Sequence, residues 1–196
     1  MTTLIQGHRI SHALGTKQLF ENLDITVSSK DRIGLVGHNG SGKSTLLSIL
    51  NGHHLPDEGD LSFNTSLKLE TVEQFIDDSL LNLTLLEALA QKLRPEERPY
   101  SEYKLPKLLQ KLGFTAGEYN YKVDNLSGGQ QNRLMFARAL INEPNLILFD
   151  EPTNHLDLVT LVQFENLLRT LKLGFLLISH DRHFLDAVTN RTIFLR

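Results

Sequence analysis

The 196-residue sequence contains no cysteine. That excludes disulfides, thiolate nucleophiles and cysteine-ligated zinc, and it suits a reducing cytoplasm. Long apolar runs are also missing. The stretch from Leu173 to Ile178 is interrupted by Gly174 and is far too short to cross a bilayer. The opening residues, Met1-Thr-Thr-Leu-Ile-Gln-Gly-His-Arg9, lack the basic-then-apolar layout of a secretory signal. The expectation is a soluble, cytoplasmic protein with no membrane segment of its own, so that any membrane role would need a separate partner chain. A strong charge of one sign is absent as well. The formal net charge of −3 gives no bulk attraction to nucleic acid or anionic lipid, and there is no evidence of direct DNA binding. Internal repeats, low-complexity tracts and coiled-coil heptads are not found, and the lack of heptads argues against the head of a coiled-coil DNA-repair protein.

What is present is ordinary globular composition, 40% hydrophobic and 22% charged, enough for one compact domain with a small appended subdomain. Strand and helix signals alternate. Ile33–Val36 reads as a strand, Ser44–Leu50 as a helix, Asn145–Asp150 as a buried strand, and Leu158–Leu171 as a helix. Phe175–Ser179 is a further buried strand, Arg182–Val188 a helix and Thr192–Leu195 a last strand. This order predicts an α/β fold with a mostly parallel core sheet covered on both faces. Leu4–Val27 has shorter, polar-interrupted strand patterns around the turn residues Gly15-Thr-Lys17, which predicts an antiparallel β edge. Leu80–Lys122 is helix-rich and broken by Pro95, Pro99 and Pro106, and reads as an inserted helical subdomain. The division is residues 1–75 and 127–196 for the core and 76–126 for the insert.

Gly37-His-Asn-Gly-Ser-Gly42-Lys43-Ser44 fits G-x-x-x-x-G-K-[ST] and lies between a predicted strand and a predicted helix. Glycines let the backbone fold so that successive N–H groups converge on a phosphate, and the helix start adds its positive dipole end. The nucleotide-binding stretch is therefore Gly37 to Thr45, with Asn39, Gly40, Ser41 and Gly42 forming the loop. Lys43 should reach the β- and γ-phosphates of ATP, and the Ser44 hydroxyl should ligate Mg²⁺. A second acid should hold the metal from a nearby strand, and Asp150 has that position after Leu146-Ile-Leu-Phe149. Glu151 follows it at once, where a carboxylate can polarise the attacking water as a general base.

Leu126-Ser-Gly-Gly-Gln130 then opens a helix that Pro144 stops. Ser127 can cap that helix, and Gly128 and Gly129 leave its first turn bare, a second helix start suited to an anion. The segment resembles the signature motif of the ABC ATPase family, and the order of all other elements agrees. The resemblance covers nearly the whole chain, from about Leu4 to Leu195. It implies a P-loop NTPase of the ABC type with a RecA-like core, working as half of a head-to-tail dimer. Ser127, Gly128, Gly129 and Gln130 of one domain would then complete the site of the other. It further implies that Gln74 contacts the metal and the attacking water, that Asp157 crosses to the other domain, and that His180 touches the γ-phosphate.

Glu151-Pro-Thr-Asn-His-Leu-Asp157, together with Ser179-His-Asp-Arg182 and Phe184-Leu185, looks like the ABC-F group. Those proteins carry two ABC domains in one chain, and several act on the translating ribosome. The resemblance thus implies a second ABC domain as partner, in the same full-length chain or in a homodimer, and the ribosome beyond it. On this expectation the chain is an N-terminal fragment, the alternative being a single-domain homodimer. The stretch from Gln74 to Leu126 leaves little room for a long ribosome-contacting arm. Two further readings stand beside this one: the ATPase subunit of a membrane transporter, and an ATP-switched binding module with incidental turnover. One departure concerns the base. Where many ABC domains stack adenine on an aromatic ring, this sequence has Leu14, with Phe20 and His12 as nearby substitutes.

Overall fold

A computed structural model describes residues 2–72, 76–95, 101–154 and 156–195. Gln74 and His155 lie outside the described residues. The chain begins with two long strands, β1 (Thr3–Leu14) and β2 (Lys17–Ser28), paired antiparallel across a tight turn. Gly15 supplies the positive φ of 61° that such a two-residue turn requires. Next come β3 (Arg32–Gly37) and α1 (Lys43–Leu50), and then β4 (Glu58–Phe63), which returns to pair antiparallel with β1. The small sheet has the order β2-β1-β4.

Strand β4 has no counterpart among the sequence expectations, for a physical reason. Glu58-Gly-Asp-Leu-Ser-Phe63 is almost wholly exposed, so no apolar alternation marks it. Its pairing is a main-chain affair with β1. Gly59 (φ 87°) is required there, because a Cβ at that place would strike the Arg9 carbonyl.

The core sheet adds β5 (Leu69–Val72), β6 (Leu146–Asp150), β7 (Gly174–Ile178) and β8 (Arg191–Leu195), in the order β5-β6-β7-β3-β8 with every pair parallel. The parallel core expected from the alternating pattern is what the chain forms. Helices complete the layers: α2 (Leu85–Ala90), α3 (Ser101–Lys111), α4 (Gly128–Leu140), α5 (Leu158–Thr170) and α6 (Arg182–Val188). The first strand of the sheet to follow α1 begins two residues later than the Leu67–Glu70 pattern suggested.

Alternate residues of the central strands feed two separate cores. Ile147, Phe149, Phe175 and Leu177 share one core with α2, α3, α4, α5 and α6. Leu146, Leu148, Leu176 and Ile178 pack with α1 and the small antiparallel sheet. Burial on both faces explains why these strands read as continuous apolar runs. The helix-side core is centred on phenylalanines: the Phe149 ring lies 5.9 Å from Phe136 and Phe164 and 6.1 Å from Phe175.

Pro106 was expected to break the insert, yet α3 runs through it. Leu105 and Leu109 are buried on this helix and Leu112 just past its end, and that burial outweighs the one ladder bond a proline removes. Pro99 lies outside the described residues.

Candidate functional site

The parallel sheet places its chemistry at one edge. Asp150 is in register with Ile178, and Ile178 with Leu35, so the carboxyl ends of β6, β7 and β3 lie side by side. Loops leaving those ends carry Glu151, His180 and the 37–42 loop, the position at which open α/β sheets build ligand sites.

The loop after β3 is shaped by its glycines. Gly40 and Gly42 have φ of 73° and 91°, and a Cβ on Gly42 would lie 2.9 Å from Leu19 Cβ. A Cβ on Gly37 would lie 2.7 Å from the Leu195 carbonyl and closer still to Ser41 Oγ. Helix α1 starts on Gly42 with no side-chain cap, so its first-turn N–H groups are left to an anion. Lys43 is buried, and its Nζ donates to the carbonyls of Gly37 (3.0 Å) and His38 (3.1 Å), which folds the side chain over the loop. Ser41 Oγ is buried with no hydrogen-bond partner among the described residues. A polyphosphate fits this cradle: it matches the N–H groups, the lysine charge and the orphaned hydroxyl. A cleft of about 890 Å³ opens beside the loop, lined by His38, Asn39, Ser179, His180, Arg182 and Phe194 among others.

Next to the cradle, Ser44 Oγ donates to Asp150 Oδ1 at 3.4 Å. Burial pushes the Asp150 carboxyl above the usual carboxylate range, the Ser44 bond opposes this, Glu151 adds to it and Lys43 opposes it. A cavity of about 170 Å³ adjoins the pair, lined also by Ser48, Asn51, His53 and Thr71. Thr71 Oγ1 is buried without a partner among the described residues. Oxygen donors around a carboxylate that burial holds high suit a hard divalent cation such as Mg²⁺.

Glu151 adopts φ 50°, a left-handed conformation that costs a non-glycine residue about 1–3 kcal/mol. Its N–H donates to the Ile178 carbonyl at 3.1 Å, so the next strand helps to hold it in place. Oε1 lies 3.1 Å from His180 Nε2, and Oε2 accepts from Asn154 Nδ2 at 2.5 Å. Asp157 is exposed and caps α5, accepting from the Thr160 N–H at 2.7 Å; that backbone bond holds its carboxyl below the usual range.

The start of α4 forms a reciprocal cap. Ser127 Oγ accepts from the Gln130 N–H at 3.3 Å, and Gln130 Oε1 accepts from the Ser127 N–H at 2.9 Å. Gln130 Nε2 also donates to Glu118 Oε1 at 2.7 Å, so its side chain is committed to structure. Gly128 faces open space, whereas a Cβ on Gly129 would lie 2.7 Å from Thr160 Oγ1. The structure therefore brings Lys43, Ser44, Asp150, Glu151 and His180 together. The cavity beside Gly129, of about 550 Å³, is lined from α3, α4, α5 and the loop before it, with no residue of the 37–45 stretch.

Phe20 is buried, and Leu14 is 71% exposed at the hairpin tip. His12 packs its ring 6.2 Å from that of Phe20. Phe20 thus offers no free face to a base. Three contacts were not foreseen. Lys17 Nζ donates to the Gly40 carbonyl at 2.8 Å, Thr153 Oγ1 lies 2.9 Å from Ser179 Oγ, and Asn154 grips Glu151. The only sequence signal was Asn154 itself, a side-chain donor three positions after the acid.

A phosphate cradle, a metal-suited serine–aspartate pair and an acid–histidine pair at one end of a parallel sheet define a P-loop ATPase. The family model described as "ABC transporter" matches residues 20–154, and the chain belongs to the ABC ATPase family. It is 33% identical over 198 residues to the ATP-binding protein Uup of Caulobacter vibrioides, covering 98% of this chain and 32% of that protein. It is 31% identical over 195 residues to the energy-dependent translational throttle protein EttA of Escherichia coli K12, covering 97% of this chain and 34% of EttA. Uup and EttA are ABC-F proteins. The chain spans about a third of the length of these relatives. Among solved structures it is similar to the dimeric cassette MJ0796 bound to ADP and Pi, with TM-score 0.78, 25% identity, and coverage of 98% of this chain and 94% of that one. It also shares the fold of a nucleotide-free cassette from an ABC transporter, with TM-score 0.81, 23% identity and coverage of 99% and 88%. No helix among the described residues is long and apolar enough to cross a membrane.

Proposed function

We propose that this chain is one half of a head-to-tail ATP sandwich in an ABC-F protein that acts in translation, in the cytoplasm and on the ribosome. The observation that carries the ATPase reading is the convergence of Lys43, the Ser44–Asp150 pair and the Glu151–His180 pair on one sheet edge. ATP lies along Gly37–Thr45, its phosphates on the loop N–H groups and Lys43. Ser44 and Asp150 would hold Mg²⁺, and the family resemblance adds Gln74 to them. When bound, the metal neutralises charge that builds on the phosphate oxygens.

Glu151 Oε1 accepts a proton from the attacking water. The water oxygen bonds to the γ-phosphorus as its bond to the β-γ bridging oxygen breaks, releasing ADP and phosphate. His180 orients Oε1 and adds a donor beside the γ-phosphate. Ser127 and the bare first turn at Gly128 and Gly129 close the site from the opposing domain, and Asp157 lies at that seam. Most of the catalysis is positioning and charge stabilisation, so a lone domain, which lacks half of each site, turns over slowly.

The ABC-F assignment rests on similarity to Uup and EttA above 30% identity, whereas the cassette from an ABC transporter shares only 23%. The test is cosedimentation of the Glu151→Gln protein with ribosomes. ATP-dependent pelleting is expected; equal pelleting with and without ATP, or none, contradicts the translational role.

A further inference from the structure

We propose that Asn154 is a positioning residue for hydrolysis, its side-chain amide fixing Glu151 so that the proton-accepting oxygen is Oε1, the one beside His180. The proposal rests on the assignment of Glu151 as the general base. Each carboxylate oxygen has its own partner: Asn154 Nδ2 at 2.5 Å on Oε2 and His180 Nε2 at 3.1 Å on Oε1. An amide donates here and cannot take up the proton of water, so it fixes one oxygen and leaves the chemistry to the other.

The two partners sit on a common frame. Asn154 follows Thr153, His180 follows Ser179, and Thr153 Oγ1 lies 2.9 Å from Ser179 Oγ. The Asn154 N–H also donates to the Glu151 carbonyl at 3.2 Å, closing the turn that starts on the left-handed Glu151. Main chain and side chain of Asn154 therefore both address the same residue. Among the described residues its side chain makes no bond to the backbone, so the turn does not use it. A general base must stay within hydrogen-bond reach of its water, and a glutamate with freely turning torsions would not.

The test is ATPase kinetics on the wild type, Asn154→Ala, Asn154→Asp, Glu151→Gln and the double variant Glu151→Gln/Asn154→Ala, with thermal melting alongside. Asn154→Ala is expected to lower kcat about tenfold or more, with the KM for ATP within about twofold, because Asn154 orders the base and does not itself hold the nucleotide. Asn154→Asp keeps the shape and the turn but sets an acceptor against an acceptor, so it should be at least as slow. In the Glu151→Gln background, Asn154→Ala should cause no further loss, because Asn154 acts through Glu151. Wild-type turnover by Asn154→Asp, or an equal loss from Asn154→Ala in both backgrounds, overturns the proposal. Wild-type turnover by Glu151→Gln overturns the base assignment itself and the proposal with it. Should Asn154→Ala fail to fold, the isosteric aspartate variant carries the test.

Discussion

Ser44 Oγ and Asp150 Oδ1 lie 3.4 Å apart although 106 positions separate them in the chain. The contact exists because β6 and β3 flank β7 in one parallel sheet and end at the same level. It sets a carboxylate half out of water beside a hydroxyl, an arrangement that costs stability until a cation shares it.

The first prediction follows from that cost. The folded-state pKa of Asp150 is raised above its unfolded value, mainly by burial. Between the two values the native state binds more protons than the unfolded one, so stability falls as pH rises through this window and the penalty remains at neutral pH. In metal-free buffer at neutral pH, Asp150→Asn should melt at or above the wild-type temperature. Added Mg-nucleotide should raise the melting temperature of the wild type more than that of the variant, which keeps the loop and Lys43 but loses the metal carboxylate. An equal ligand-induced rise in both proteins removes Asp150 from the metal site.

Ser127 separates fold from function. Ser127→Ala removes the oxygen that caps α4 and should lower stability by about 1 kcal/mol. Ser127→Asp keeps a capping oxygen while adding a negative charge where the opposing domain's γ-phosphate should lie. Its melting temperature should stay near wild type, nucleotide binding to the 37–45 stretch should persist, and turnover should be lost. Full ATPase activity in Ser127→Asp would show that this helix start meets no phosphate.

Leu14, at the place where the family resemblance implies an adenine-stacking ring, is exposed at the hairpin tip, and the ring of Phe20 is buried. A base therefore gains little stacking. Leu14→Tyr should tighten ATP binding, by about 1 kcal/mol or somewhat more if a full stack forms. The same substitution should tighten GTP by about as much, since stacking uses a π-face that both purines share. Competition titrations with both nucleotides read the two effects.

Phe149 sits where the helix-side core converges, touching the rings of Phe136, Phe164 and Phe175. Phe149→Ala should destabilise the domain by about 3–5 kcal/mol in chemical denaturation. A smaller loss would mean that α4 and α5 close over the cavity.

Legibility of the chain followed burial and backbone need. Strands β6 and β7 are buried on both faces and read plainly as apolar runs, and α6 was placed at its observed bounds. The glycine loop was legible because its spacing is a backbone requirement. Strand β4 was not, since its exposed residues leave no periodic trace. The path of α3 through Pro106 was misread because local propensity says nothing of the leucines buried elsewhere along that helix. At the site, single acids were foreseen by position, whereas the Asn154–Glu151 and Thr153–Ser179 contacts depend on the left-handed turn at Glu151, which no residue type announces.

The central claim is that the loop ending in Lys43 grips a triphosphate, and calorimetric titration with Mg-ATP at two temperatures tests it most directly. The account predicts saturable binding of one nucleotide per chain, lost or weakened by more than about tenfold in Lys43→Ala, in line with removal of one charged hydrogen-bonding partner. An absence of saturable heat at both temperatures, or unchanged affinity in Lys43→Ala, would contradict it.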